Sequence, residues 1–213
     1  MSRIWFITDC SSGFGRQLAI AAAQNGYKVV ATSRDPSKLD DLRELGVTPI
    51  KLDVHDESDI RAVIDNVEFT IRPIDIFVND IGYILEESSQ SNEEITAQFD
   101  TNVFSQIRVL RAVLPYMRAG RSGVVANFGS IGGWNGTPAA GLYCASKAAV
   151  TIYTESLAAE LAPFHIDVTC VEPGYFRTDF LTGAHKMVAK KRILELDVST
   201  QHTRNGLAAY SLR

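Results

Sequence analysis

Tyr143-Cys144-Ala145-Ser146-Lys147 puts a phenol and an ammonium four residues apart, with Ser130 a short distance upstream. On a helix, residues four apart share a face. A free tyrosine has a pKa near ~10 and exchanges protons poorly at neutral pH. A neighbouring lysine cation stabilises the phenolate. Lowering the pKa by about three units takes roughly 4 kcal/mol of differential stabilisation. That is a large demand on one ammonium, so a second positive charge is a natural helper. Such a pair suits moving a proton on and off an alcohol or ketone oxygen.

The elements that must position this pair alternate strand and helix. Ile4 to Thr8 reads as a strand and Gly15 to Asn25 as a helix closed by Gly26. Lys28 to Ser33 is a second strand, and Pro36 opens a helix ending near Gly46. Pro49 to Leu52 is a third strand, followed by a helix from Asp56 to Phe69. Ile74 to Asn79 is a fourth, and Ser91 to Met117 carries one long helix. Gly123 to Phe128, a helix from Tyr143 to Ala162, and Ile166 to Val171 complete the series. The strands are nearly continuous apolar runs, as in a parallel sheet covered on both faces. The expectation is an α/β fold: a Rossmann-like doubly wound parallel sheet of about six strands, a three-layer sandwich, in one domain over 1–213.

Size and charge narrow the function. The chain has 213 residues, 46% hydrophobic and 22% charged, with a net charge of -4. This gives no support to nucleic-acid or anionic-membrane binding. Cys10, Cys144 and Cys170 are scattered, which predicts reduced thiols rather than a disulfide frame. They show no zinc-type spacing with His55, His165, His185 or His202, so no metal is expected. The apolar run before Asp9 is too short for a signal peptide and no ~20-residue apolar stretch exists. A cytoplasmic address follows as an expectation.

The first strand runs into a glycine turn, Ser11-Ser12-Gly13-Phe14-Gly15. A strand-to-helix turn of this kind offers backbone N–H groups to a dinucleotide pyrophosphate. Alone it is a weak signal, equally at home in a loop that binds nothing. The second strand ends in Ser33-Arg34, where an acid would hold the ribose hydroxyl of NAD. A hydroxyl and a guanidinium suit a 2′-phosphate, which favours NADP(H), unless Arg34 merely pairs with Asp35 or solvent.

Taken in order, the glycine turn, Asn102, Ser130, Tyr143-x-x-x-Lys147 and Pro173-Gly174 resemble the classical short-chain dehydrogenase/reductases, over residues 4 to about 181. The resemblance implies roles. Tyr143 would be the general acid/base, Lys147 would lower its pKa and hold the nicotinamide ribose, and Ser130 would bond the substrate oxygen. Asn102 would order a relay water, unless it only holds a helix kink. Ser11, Gly13, Phe14 and Gly15 would line the pyrophosphate. Asp53 would hold the adenine or else cap the next helix, and Asn79 and Gly82 would close the adenosine side. Pro173, Gly174 and Thr178 match the segment that meets the nicotinamide amide. Trp134, Leu142, Tyr175, Phe176 and Phe180 would border a pocket for an apolar or aromatic small-molecule carbonyl or alcohol. Relatives of this type pair through the long helix and the Tyr143 helix, so a homodimer or homotetramer is expected.

Three residues depart from the pattern. Asp9 replaces the first glycine of the turn, and Asp80-Ile81 replace an Asn-Ala pair after the fourth strand. Like charge in a partly buried groove costs a few kcal/mol, about two decades of affinity. Either Asp9 points away, where it can cap the turn, and NADP(H) binds more weakly; or the groove excludes the dinucleotide. In the second case the scaffold would serve a cofactor-independent isomerase, dehydratase or cyclase, or a non-catalytic role. The C-terminal part, 178–213, reads as a shortened substrate cover. Phe180 to Ile193 would supply part of the cover and Asn205 to Leu212 a last helix, with no further strand. Lys186, Lys190, Lys191 and Arg192 read as a solvated helix face.

Overall fold

The computed structural model describes residues 2–86, 91–181 and 185–211. Six strands form one parallel sheet: β1 (Ile4–Ile7), β2 (Lys28–Ser33), β3 (Thr48–Lys51), β4 (Ile76–Asn79), β6 (Gly123–Phe128) and β7 (Ile166–Val171). Their order is β3-β2-β1-β4-β6-β7. Chain order reverses between β1 and β4, where Trp5 pairs with Val29 on one side and Ile76 on the other. Open sheets of this kind bind ligands at that switch point, off the carboxyl ends of the strands.

Successive side chains on β1 enter opposite cores, as a strand's alternation requires. Ile4 and Phe6 pack with Ile60, Ile64, Val109 and Val113 on one face, while Ile7 packs with Ala19, Leu39 and Val78 on the other. The covering helices are α1 (Gly13–Gln24), α2 (Glu57–Asn66), α3 (Asn92–Phe99), α4 (Ser105–Gly120) and α5 (Gly141–Leu161). The Asp56 carboxylate starts α2 by accepting from Ser58 N and Asp59 N at 2.8 and 3.1 Å.

The helix expected from Pro36 to near Gly46 is present, and four other expectations need correction. The stretch Pro36–Leu45 is a 3₁₀ helix, capped by Asp35 at one end and left-handed Gly46 (φ 81) at the other. The long helix from Ser91 is not continuous: a π turn, Asp100–Phe104, separates α3 from α4. Beyond Thr178 a strand does occur: β8 (Lys186–Val188) pairs in parallel with β5 (Ile84–Glu86), Lys186 opposite Ile84. The basic residues are therefore not a helix face. Lys186 Nζ contacts Glu86 Oε2 at 2.7 Å and Arg192 pairs with Asp197 at 2.8 Å. The last helix, α6 (Asp197–Ser211), starts earlier than the sequence suggests, and Leu212 lies outside the described residues. Among the described residues no helix is long and apolar enough to cross a membrane.

Candidate active site

Ser130 follows β6 in extended conformation (φ -170, ψ 150), and its Oγ accepts from Gly132 N at 3.0 Å. The turn is held by backbone bonds from Gly129 N to Val171 O (2.9 Å) and Ile131 N to Pro173 O (3.2 Å). Tyr143 lies in the first turn of α5, where Ser146 Oγ donates to its carbonyl at 2.7 Å. Ser130 neighbours the Tyr143 phenol and favours its ionised form. Both side chains, with Lys147, line a cavity of about 410 Å³.

The electrostatics differ from the sequence expectation. The Tyr143 phenol is not made acidic; it is pushed up to about 12, chiefly by burial, with Ser130 working the other way. Lys147 is one helical turn away, but its ammonium is turned to the strand ends. Nζ donates to Phe128 O at 2.8 Å and approaches Ile81 O at 3.5 Å. Gly82 permits that position: a Cβ there would lie 3.0 Å from Nζ. Burial lowers Lys147 to about 8, against the pull of the Asp80 carboxylate.

Asp9 adopts a left-handed backbone (φ 54), where glycine is at ease and aspartate is tolerated. It does not point away: it walls the cavity, with Oδ2 3.7 Å from His185 Nδ1. Its carboxyl is raised by burial and lowered by His185, Arg34 and Lys147. Asp80 does the capping instead, Oδ2 accepting from Gly15 N at 2.5 Å. Burial and then Asp9 raise Asp80 to about 8. Gly15 is sterically required, since a Cβ would stand 2.8 Å from Asp9 O.

The other expected residues divide. Gly13, Phe14, Gly82, Pro173 and Gly174 line the cavity beside Tyr143. So do Tyr175, Phe176, Thr178 and Phe180, with Phe176 edge-on to Phe14 and Phe180 tilted against Tyr143. Ser33 and Arg34 wall a second cavity beyond Asp9. Ser11, Gly15, Asp53, Asn79, Trp134 and Leu142 line neither. Trp134 is 68% exposed, its indole donating to Glu172 at 2.9 Å. Asp53 Oδ1 accepts from His55 N at 3.0 Å, so it neither faces a cavity nor caps α2. Asn79 Nδ2 donates to Gln106 O and Asn127 Oδ1, both at 3.2 Å, tying β4 to its neighbours. Asn102 is fully buried: Oδ1 accepts from Tyr83 N, and Nδ2 donates to Tyr83 O and Ser146 Oγ, each at 2.9 Å. Its side chain is engaged with protein groups rather than directed at a relay water.

Sequence reasoning missed His185 and the α6 residues His202, Thr203, Gly206 and Leu207, which complete the cavity. The charged turn at Asp9 was a signal that a cation must lie near, though not which one.

The chain belongs to the short chain dehydrogenase family, whose model matches residues 3–189. It is 37% identical to a 3-ketodihydrosphingosine reductase of Bacteroides thetaiotaomicron over 96% of this chain and 78% of that protein. A solved short-chain dehydrogenase of Streptomyces avermitilis superimposes with TM-score 0.90 at 34% identity, covering 99% of this chain and 79% of that one. Actinorhodin polyketide ketoreductase with NADPH superimposes with TM-score 0.79 at 29% identity, covering 83% and 72%.

Proposed function

We propose that this protein is an NADP(H)-dependent oxidoreductase working as a carbonyl reductase, taking an apolar or aromatic ketone to a secondary alcohol. The observation that carries the reading is that Ser130 and Tyr143 line one cavity, with Lys147 a turn behind. A phenol raised to about 12 stays protonated through neutral pH, which makes it a donor rather than a base. Tyr143 gives its proton to the carbonyl oxygen while Ser130 steadies the charge developing there. Buried Lys147 keeps a positive charge behind the phenol below about pH 8. Phe14, Phe176 and Phe180 supply the apolar wall a hydrophobic ketone needs.

The residues at both ends of the groove fit the dinucleotide. α1 offers an N-terminus with no acidic residue in its first turn and no side-chain cap from Ser12. Thr178 and Pro173 stand at the Tyr143 end and would hold the nicotinamide. Ser33 and Arg34 stand at the other and suit a 2′-phosphate. Asp35, next to Arg34 in the chain, is turned to Ser37 N at 3.2 Å as a cap, while Asp9, Glu93 and Glu94 wall the same cavity as Arg34. When bound, the nicotinamide supplies the hydride.

The test is NADPH oxidation with a panel of aryl and alkyl ketones, comparing Tyr143→Phe with the unchanged protein. A loss of about 10²–10⁴ in kcat with an unaltered circular dichroism spectrum is expected; an unchanged rate rejects the role. A second reading, proton transfer without a dinucleotide, is favoured by one observation: the Gly15 N–H is already bonded to Asp80. No NADPH binding up to millimolar concentration, in the protein and in Asp9→Gly alike, would select it.

A further inference from the structure

Two cavities lie end to end along the switch point, and both are walled by Asp9, Ile81, Gly82 and His185. Asp9, Ile81 and Gly82 belong to the strand tips beneath. His185 alone reaches over from the C-terminal segment. Its Nε2 lies 3.1 Å from Ser12 Oγ on the glycine turn, and its Nδ1 3.3 Å from Gly82 O. The same Nδ1 stands 3.7 Å from Asp9 Oδ2. Phe180 stacks on the ring at 6.1 Å and 21°. The imidazole thus bridges the two rims of the groove, between the Tyr143 cavity and the Arg34 cavity. A dinucleotide must run continuously past this point, with its pyrophosphate against the turn that bears Ser12.

We propose that His185 is the specificity residue that decides whether this groove accepts a whole dinucleotide or only its halves. Bonded to Ser12 and Gly82 it divides the groove, and each compartment admits a ligand of mononucleotide size or smaller. Swung out, it opens the passage. The inference rests on the NADP(H) reading and goes beyond it.

The strap behind His185 is anchored apart from the imidazole. β8 pairs with β5, Lys186 meets Glu86, and Ala189 N donates to Glu86 O at 3.1 Å. Lys190 N adds a bond to Glu94 Oε1 at 2.9 Å. Side-chain rotation of His185 breaks none of these, so the ring can leave while the strap stays. The barrier to binding is then the hydrogen bonds the ring gives up, which a substitution removes at once.

The experiment measures Kd for NADPH and for 2′,5′-ADP, which carries the adenosine half alone, on the full chain and on His185→Ala. Loss of the imidazole also removes the polar group facing Asp9. That change acts on both anions, so the ratio of the two constants isolates the division of the groove. Expected is a fall in Kd(NADPH)/Kd(2′,5′-ADP) of at least ~10-fold in His185→Ala, as loss of two hydrogen bonds predicts. Binding of both ligands with an unchanged ratio overturns the role of His185 and leaves the cofactor reading standing. If 2′,5′-ADP binds while NADPH binds neither form, the passage is closed by Asp9 and Asp80 instead, which also overturns it. Failure of both ligands on both forms removes the cofactor reading and this inference together.

Discussion

Asp80 is a carboxylate in surroundings that oppose its charge. Its ordinary value of 3.8 is raised to about 8, first by burial and then by Asp9. Between those values the folded protein holds a proton that the unfolded chain releases. Stability therefore falls as pH rises from about 4 to about 8, at about 1.4 kcal/mol for each pKa unit as an upper bound. Asp80→Asn keeps an oxygen for the Gly15 N–H and removes the charge. The variant is expected to melt above the unchanged protein at pH 8, with the gap closing at pH 5; equal gaps at both pH values refute the buried-charge account. Lys147 then loses the carboxylate that supports its ammonium and titrates below about 8. The side chains proposed for the chemistry were legible in the sequence, because Tyr143, Lys147 and Ser130 are defined by type and spacing. The direction of the tyrosine shift was not. It depends on how much water the fold leaves around the phenol, and on the ammonium being engaged with Phe128 O. His185 was illegible for a related reason: nothing local ties it to Ser12, 173 positions away.

Strands and helices were readable wherever their own side chains decide them. The apolar runs of β1, β4 and β6 and the Asp56 cap are local signals, and the parallel six-stranded sheet follows from their alternation with helices. Two features were hidden because distant partners make them. β8 has only three residues, and it is a strand because β5 lies beside it. The π turn Asp100–Phe104 interrupts an otherwise unbroken helical pattern because Asn102 is committed to Tyr83 and Ser146. Ser146 in turn donates to the Tyr143 carbonyl, so this residue links the turn to the start of α5. Asn102→Ala leaves the Tyr83 N–H without its acceptor, whereas Tyr83 O keeps the bond from Gln98 Nε2 at 2.7 Å. The expected loss is about 1–3 kcal/mol of folding stability, read as a lower urea midpoint with an unchanged slope. A variant as stable as the parent would mean that another group takes over the Tyr83 N–H.

At the scale of the whole molecule, two of the surfaces among the described residues suit contact with a second copy. One is the face made by α5 and the turn before α4, where Ile152 is 66% and Phe104 49% exposed. The other is the outer side of β7, which has no further strand beside it among the described residues. They differ in chemistry. β7 carries exposed Asp167, and two copies pairing edge to edge would bring these carboxylates close together, which disfavours that contact. The α5 face exposes apolar Ile152 and Phe104. Pairing through it predicts a dimer rather than a tetramer, with light scattering giving twice the 23.4 kDa chain mass. Ile152→Glu places a charge at the centre of that contact and is expected to halve the mass, while Asp167→Asn leaves it unchanged. A mass of four chains in the unchanged protein, collapsing to two in a variant that adds charge along β7, would show that the edge is used after all and that the carboxylates are accommodated there.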